Sequence, residues 1–192
     1  MSVDGASYAG VPSGLWLVDS RRSSVAFVVK HMVVATVDGH FRDFVGMLEI
    51  GAETSQATGV VMASSVETND ATRDEHLRNS PDFFDVTRYP EISFTSSRID
   101  SQRNGGFHIE GELTMRGVTR AIGLHGHLKG TDRDASGDEW IQLQLWGDIN
   151  RRDFGLTWNQ ALETGGALLG NKVKLMLDLS AVKRQVAQPM LR

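Results

Sequence analysis

The residues best suited to chemistry in this 192-residue chain are its six histidines and the arginine–acid pairs near them, since cysteine is absent. Without a thiol there is no disulfide, no iron–sulfur cluster and no cysteine nucleophile. Hydrolytic catalysis would need a nucleophile, a base and an orienting group within mutual reach. Serines are plentiful and His31, His40 and His76 offer bases, but the chain has neither a G-x-S-x-G elbow nor an H-E-x-x-H pair. His125 and His127 form an H-x-H. On a strand that spacing puts both rings on one face, as metal sites use. Their phase against Ile122, Leu124 and Leu128 turns them to solvent, and no third ligand stands at an obvious spacing. His31 follows Val25, Phe27 and Val29 in phase, so it points inward either as a satisfied histidine or as a polar contact for a bound molecule. Arg73, Asp74 and His76 sit with Leu77 on a helical stretch. They read first as ties to loop backbone, with Arg151 and Asp153 as partners, and second as contacts to a polar group. On balance these residues predict a protein that is not an enzyme.

The elements that must position them are strands. Val25, Phe27 and Val29 alternate with polar or small residues, as do Ile141, Leu143, Leu145 and Ile149, and Val173, Leu175, Leu177 and Leu179. Period two marks half-buried antiparallel strands. Weaker alternation runs through 44–50, 59–65, 91–97, 107–115 and 121–128, giving about eight or nine strands with the stretch at Trp16. The segment 67–89 breaks the pattern. Asn69 or Asp70 caps a short helix through 71–78, and Pro81 and Pro90 bracket a loop holding Phe83 and Phe84. A helical turn is expected within 30–37. Many strands and one helix predict an all-β fold: a closed eight-stranded antiparallel barrel with one short capping helix, because closure removes exposed edges. Gly39, Gly46, Gly111, Gly126 and Gly147 fall in phase with the interior set, either as barrel corners or as clearance for a ligand.

Composition sets the limits. The chain is 40% hydrophobic and 23% charged, with a net charge of −4. This is globular usage without the basic field a nucleic-acid binder needs, so no nucleic-acid partner is expected. No apolar run approaches the ~20 residues that span a bilayer, so no stable membrane insertion is expected. Residues 1–13 and 183–192 are expected as tails around one domain at 14–182. The N-terminus lacks the basic and apolar regions of an export signal, which predicts a cytoplasmic location.

A family resemblance is carried by ordered blocks: Lys30-His31, Val37-Asp38-Gly39-His40-Phe41, Ser65-Val66-Glu67-Thr68-Asn69, Arg73-Asp74-Glu75-His76-Leu77, Ser80-Pro81-Asp82-Phe83-Phe84, Gly111-Glu112-Leu113-Thr114-Met115-Arg116-Gly117 and Asn150-Arg151-Arg152-Asp153-Phe154-Gly155. This set closely resembles the YceI-like family from about Leu15 to Leu179. The resemblance implies a lipocalin-like barrel around a long apolar pocket. It also implies a long-chain amphiphilic lipid as partner, such as a polyisoprenoid or an isoprenoid quinone. No cofactor is implied beyond such a lipid. Many family members carry a secretion signal, from which this chain departs.

On this reading the ligand-binding residues are Val25, Phe27, Val29, Phe41, Phe44, Phe84, Ile92, Phe94, Ile109, Leu113, Leu143, Leu145, Val173 and Leu175 as wall, with His31 and Arg73 at the polar end. The protein is expected to sequester or carry the lipid without chemistry. The alternatives are an enzyme acting on a lipid head group and an interaction module whose barrel is filled by its own side chains. A homodimer is left open.

Overall fold

The alternation resolves into strands in a computed structural model that describes residues 7–8, 10–32, 35–51, 54–102, 105–160 and 168–184. In chain order these are β1 (Ser7–Tyr8), β2 (Val11–Pro12), β3 (Gly14–Val18), β4 (Ser24–His31), β5 (Ala35–Phe41), β6 (Phe44–Ile50), β7 (Ser55–Met62) and β8 (Val66–Glu67). The helix α1 (Ala71–Asn79) follows, then β9 (Glu91–Ser101), β10 (Gly106–Met115), β11 (Val118–Arg133), β12 (Glu139–Asn150) and β13 (Leu169–Arg184).

The sheet runs β12-β11-β10-β9-β7-β6-β3-β13, and a further β12–β13 pairing closes this ring of eight. Neighbours are antiparallel throughout, so the fold is the closed barrel that the strand count predicts. The long β13 serves two partners in turn: β4 along Val173–Asp178 and β3 along Ala181–Arg184. A 3-10 turn at Ser20–Arg22 makes the break between those partners. It is held against β13 by the Asp19 amide donating to Ser180 O at 2.9 Å.

The helix begins at Asp70, whose carboxylate accepts from the Arg73 amide at 3.0 Å. Asn69 stands outside it with φ of 60°, so of the two candidate caps Asp70 is the one used. Asp74 is buried and accepts from both the amide (2.8 Å) and the hydroxyl (2.5 Å) of Thr68. These ties, with Leu77 packed against the cluster that holds Phe83 and Phe84, fix α1 across one end of the barrel.

Two expectations are corrected. The 30–37 stretch is not a helical turn: β4 runs on to His31 and β5 starts at Ala35, and Met32 turns the chain with φ of 50°. Residues 33–34 within that expectation lie outside the described residues. Parts of both stretches read as tails belong to the fold: Val11 is buried in one core cluster with Trp16, Ile50, Ile99 and Phe107, and Lys183 and Arg184 end β13 paired with Trp16 and Leu15.

Candidate functional site

The barrel encloses a cavity of about 280 Å³. One water needs only about 10–15 Å³, so the interior is not filled by its own side chains as the filled-barrel alternative requires. Fourteen of the sixteen predicted site residues line it. They are Val25, Phe27 and Val29 (β4), Phe41 (β5), Phe44 (β6), Phe84 (after α1), Ile92 and Phe94 (β9), Ile109 and Leu113 (β10), Leu143 and Leu145 (β12), and Val173 and Leu175 (β13). The wall runs from Val11, Ile99 and Ala181 at one pole to Leu77, Phe83 and Leu156 at the other.

The in-phase glycines explain how large rings line a space without filling it. A Cβ on Gly39 would clash with the Phe27 ring, one on Gly111 with the Phe94 ring and Thr95 O, and one on Gly126 with the Phe107 ring and Leu145. Phe27 faces Gly39 and Phe107 faces Gly126 directly across the ladder. The outer carbons of each ring therefore occupy the space that a side chain at the glycine would take. Gly46 gives the same room to Val18. The glycines are thus seats for interior side chains, and the clearance they leave is indirect.

The polar end differs from expectation. Neither His31 nor Arg73 lines the cavity. Arg73 is spent on the helix start, where Nε donates to Thr68 Oγ1 and Nη2 to Thr68 O, both at 2.7 Å. His31 is the last residue of β4, opposite Ala35, and stands off the wall. Arg151, which was not among the expected residues, is 4% exposed and on the wall. All five of its N–H groups find acceptors. Nε donates to Gly170 O (2.8 Å) and Nη1 to Leu156 O (2.6 Å) and Trp158 O (2.8 Å), while Nη2 reaches Leu169 O and Asn171 Oδ1 at 3.3 Å each. Burial, and then the neighbouring charge of Arg152, lower its pKa from the ordinary arginine value. The phase of β12 carried the signal: Leu143, Leu145 and Ile149 point inward, and Arg151 continues their odd-numbered series.

Above Arg151 the cap is aromatic. Phe83 lies 5.5 Å from Trp158, and His76 lies 5.2 Å from Phe83 and 5.9 Å from Trp158 between ring centres. His76 is thereby a packing residue. His125 and His127 are on the outer face, beside Trp146 and with the His108 ring 4.7 Å from that of His125.

A closed antiparallel barrel with a long apolar interior and one end capped by a helix defines a lipocalin-like binding protein. The YceI-like domain model matches residues 16–181, and the chain belongs to that family. A UPF0312 protein of Staphylococcus aureus (strain MSSA476) is 32% identical over 160 residues, covering 81% of this chain and 90% of that protein. Among solved structures, a Campylobacter jejuni YceI protein is 27% identical, with a TM-score of 0.69 over 81% of this chain and 90% of that one. Burkholderia cenocepacia BcnA shares the fold at a TM-score of 0.73 and 19% identity, over 85% of this chain and 98% of that one. A polyisoprenoid-binding domain from Saccharophagus degradans does so at 0.63 and 16%, over 88% and 98%.

Proposed function

We propose that the barrel binds a long-chain isoprenoid, or an amphiphile of similar shape, and carries or shields it without chemical change. The observation that supports this most is the wall itself: a continuous apolar lining along the barrel, seated on glycine so that a space remains. Each methylene moved from water onto such a wall contributes roughly 0.8 kcal/mol. Several isoprene units therefore outweigh the cost of ordering the chain and reach micromolar affinity without a directed polar contact. Arg151 supports the non-catalytic reading, since its N–H groups are already committed to the chain's own oxygens. The solved polyisoprenoid-binding domain of the same fold supports the ligand class.

Native mass spectrometry of the purified protein, followed by organic extraction, tests the reading. The expected result is a stoichiometric adduct whose mass falls on an isoprenoid ladder, or uptake of a fluorescent prenyl analogue by delipidated protein. Leu113→Trp fills mid-barrel space and should weaken that uptake by about tenfold or more (~1.4 kcal/mol) while the fold persists. Unchanged uptake would remove the cavity from the function.

A further inference from the structure

We infer that the head group of the bound amphiphile is anionic and lies at the Arg151 pole of the cavity, with its tail directed toward Trp16. This rests on the lipid-binding reading and adds the chemistry and orientation of the ligand.

The cavity is electrically one-sided. Arg151 is the one charged side chain on its wall among the described residues. Of the other polar lining residues, Thr58 alternates with Ala57 and Gly59, and Ser93 with Ile92 and Phe94, so both fall out of the inward phase. No ion pair within 4.0 Å involves Arg151 among the described residues. Its acceptors are neutral: four main-chain carbonyls and the Asn171 amide oxygen. Arg152 and Asp153, which follow it, are both exposed and opposite in sign. The hydrogen-bonding capacity of the guanidinium is therefore used, and among the described residues no carboxylate pairs with its charge. In a poorly screened interior that field acts over several ångströms. A negative head group at this pole supplies the missing counter-charge, whereas a positive one is repelled.

At the opposite pole no charged side chain is on the wall among the described residues, and the Lys183 ammonium, 5.5 Å from the Trp16 ring centre, is already paired with Glu139 at 3.3 Å. Trp16 is fully enclosed among Val11, Ile50, Ile99, Phe107, Ile141 and Ala181. Its indole N–H is already given to Pro12 O at 3.0 Å. An alkyl tail loses nothing against this apolar packing, while an anionic head would have to compete with Glu139 for Lys183. Both poles thus argue for the same orientation.

Three probes with one tail separate the head-group effect from tail binding: geranylgeranyl phosphate, geranylgeraniol and geranylgeranylamine, titrated against delipidated protein. The phosphate is expected to bind about tenfold or more tighter than the amine, with the alcohol between them (~1.4 kcal/mol per decade). Arg151→Lys keeps the charge and should keep the order; Arg151→Met, where it folds, should abolish it. A nitroxide at the head end should broaden the amides of Trp158 in an NMR spectrum, and one at the tail end those of Trp16. Equal binding of all three probes by the wild-type protein overturns the proposal and leaves the lipid-binding reading intact. Failure of all three to bind overturns both. Competition by inorganic phosphate alone would show a free-anion site and also overturn it, as would a head-end nitroxide that broadens Trp16.

Discussion

The two poles of the cavity are closed by different means. At the Trp16 pole the strands β3, β10, β12 and β13 satisfy their own main chain in the ladder, and apolar packing does most of the sealing, with the Trp16 indole N–H given to Pro12 O. At the opposite pole the cover is made of α1, the loop after it and the 3-10 turn at Arg151–Phe154, whose carbonyls have no strand partner. There the closure is done by arginines donating to main-chain oxygen. Arg73 binds Thr68 O, Arg78 binds Ser64 O and Val66 O, Arg116 binds Pro81 O and Gly155 O, and Arg151 binds four more. The difference teaches that a barrel end built from irregular chain needs donors for its buried carbonyls, and the planar five-donor guanidinium is the side chain that supplies most of them at once. A charge at one pole is the electrostatic consequence of that architecture.

Breaking the packed pole should have the largest effect. Trp16→Ala removes a fully buried indole from a site that cannot collapse and should cost about 3–5 kcal/mol, read as a lower denaturant midpoint. Arg151→Met should come next, at about 3 kcal/mol, because it leaves several buried acceptors unpaired at once. The two variants also differ in where the loss shows. Hydrogen exchange should rise through the barrel strands in Trp16→Ala, and in Arg151→Met chiefly around 151–158 and 168–171. Equal, global exchange in both would mean the poles form one cooperative unit.

The same contrast explains what could be read from the sequence. The strands, their closure and the wall were legible because period two is a local signal and burial on one face enforces it. Phe27, Phe94, Leu113, Leu143 and Leu175 all follow from phase alone, and all line the cavity. The cap was not legible in the same way, because its order comes from long-range side-chain-to-carbonyl bonds that leave no periodic trace. Arg151 carries such bonds to Leu169 O and Gly170 O, whereas those of Arg73 are local, and only the structure shows that Arg151 reaches the cavity while Arg73 stays at the helix start. Phase along β12 would have pointed to Arg151, but a charged residue in an apolar series reads at first as the end of the strand. The ring seats were half-legible: the glycines are in phase, yet which ring occupies each depends on register, which sequence does not give.

A smaller test concerns how α1 is held on the cap. Asp70→Ala removes the side-chain acceptor for the Arg73 amide and should cost about 1 kcal/mol. Since α1 contributes Leu77 to the cavity wall, the variant should also speed ligand release while leaving the strands as protected as before. An unchanged release rate would show that α1 does not govern that pole's access.

The smallest expected effect is one of pH, and it too falls on the capped pole. Glu67 on β8 is hydrogen-bonded by Arg42, with the His40 ring nitrogen 3.5 Å from the same oxygen. The Arg42 bond, against a smaller opposing desolvation, lowers the Glu67 carboxyl below its ordinary value. A carboxyl lowered in the folded state contributes stability that is present above the unfolded value and is lost as pH falls through the folded one. Arg42 stays charged throughout, so of these two partners it is Glu67 that changes state in that window. The pair is exposed and screened by salt, so the loss is shallow. Residue 67 continues directly into the segment that carries Thr68 and Asp70, so the strand that loosens is the one leading to α1. Below the ordinary glutamate range, amide exchange in β8 and the first turn of α1 should therefore accelerate in the wild type. In Glu67→Gln it should already be fast at neutral pH and should change less on acidification. If the Trp16 pole responded as strongly as β8, the pH dependence would belong to the whole barrel and not to its arginine-tied end.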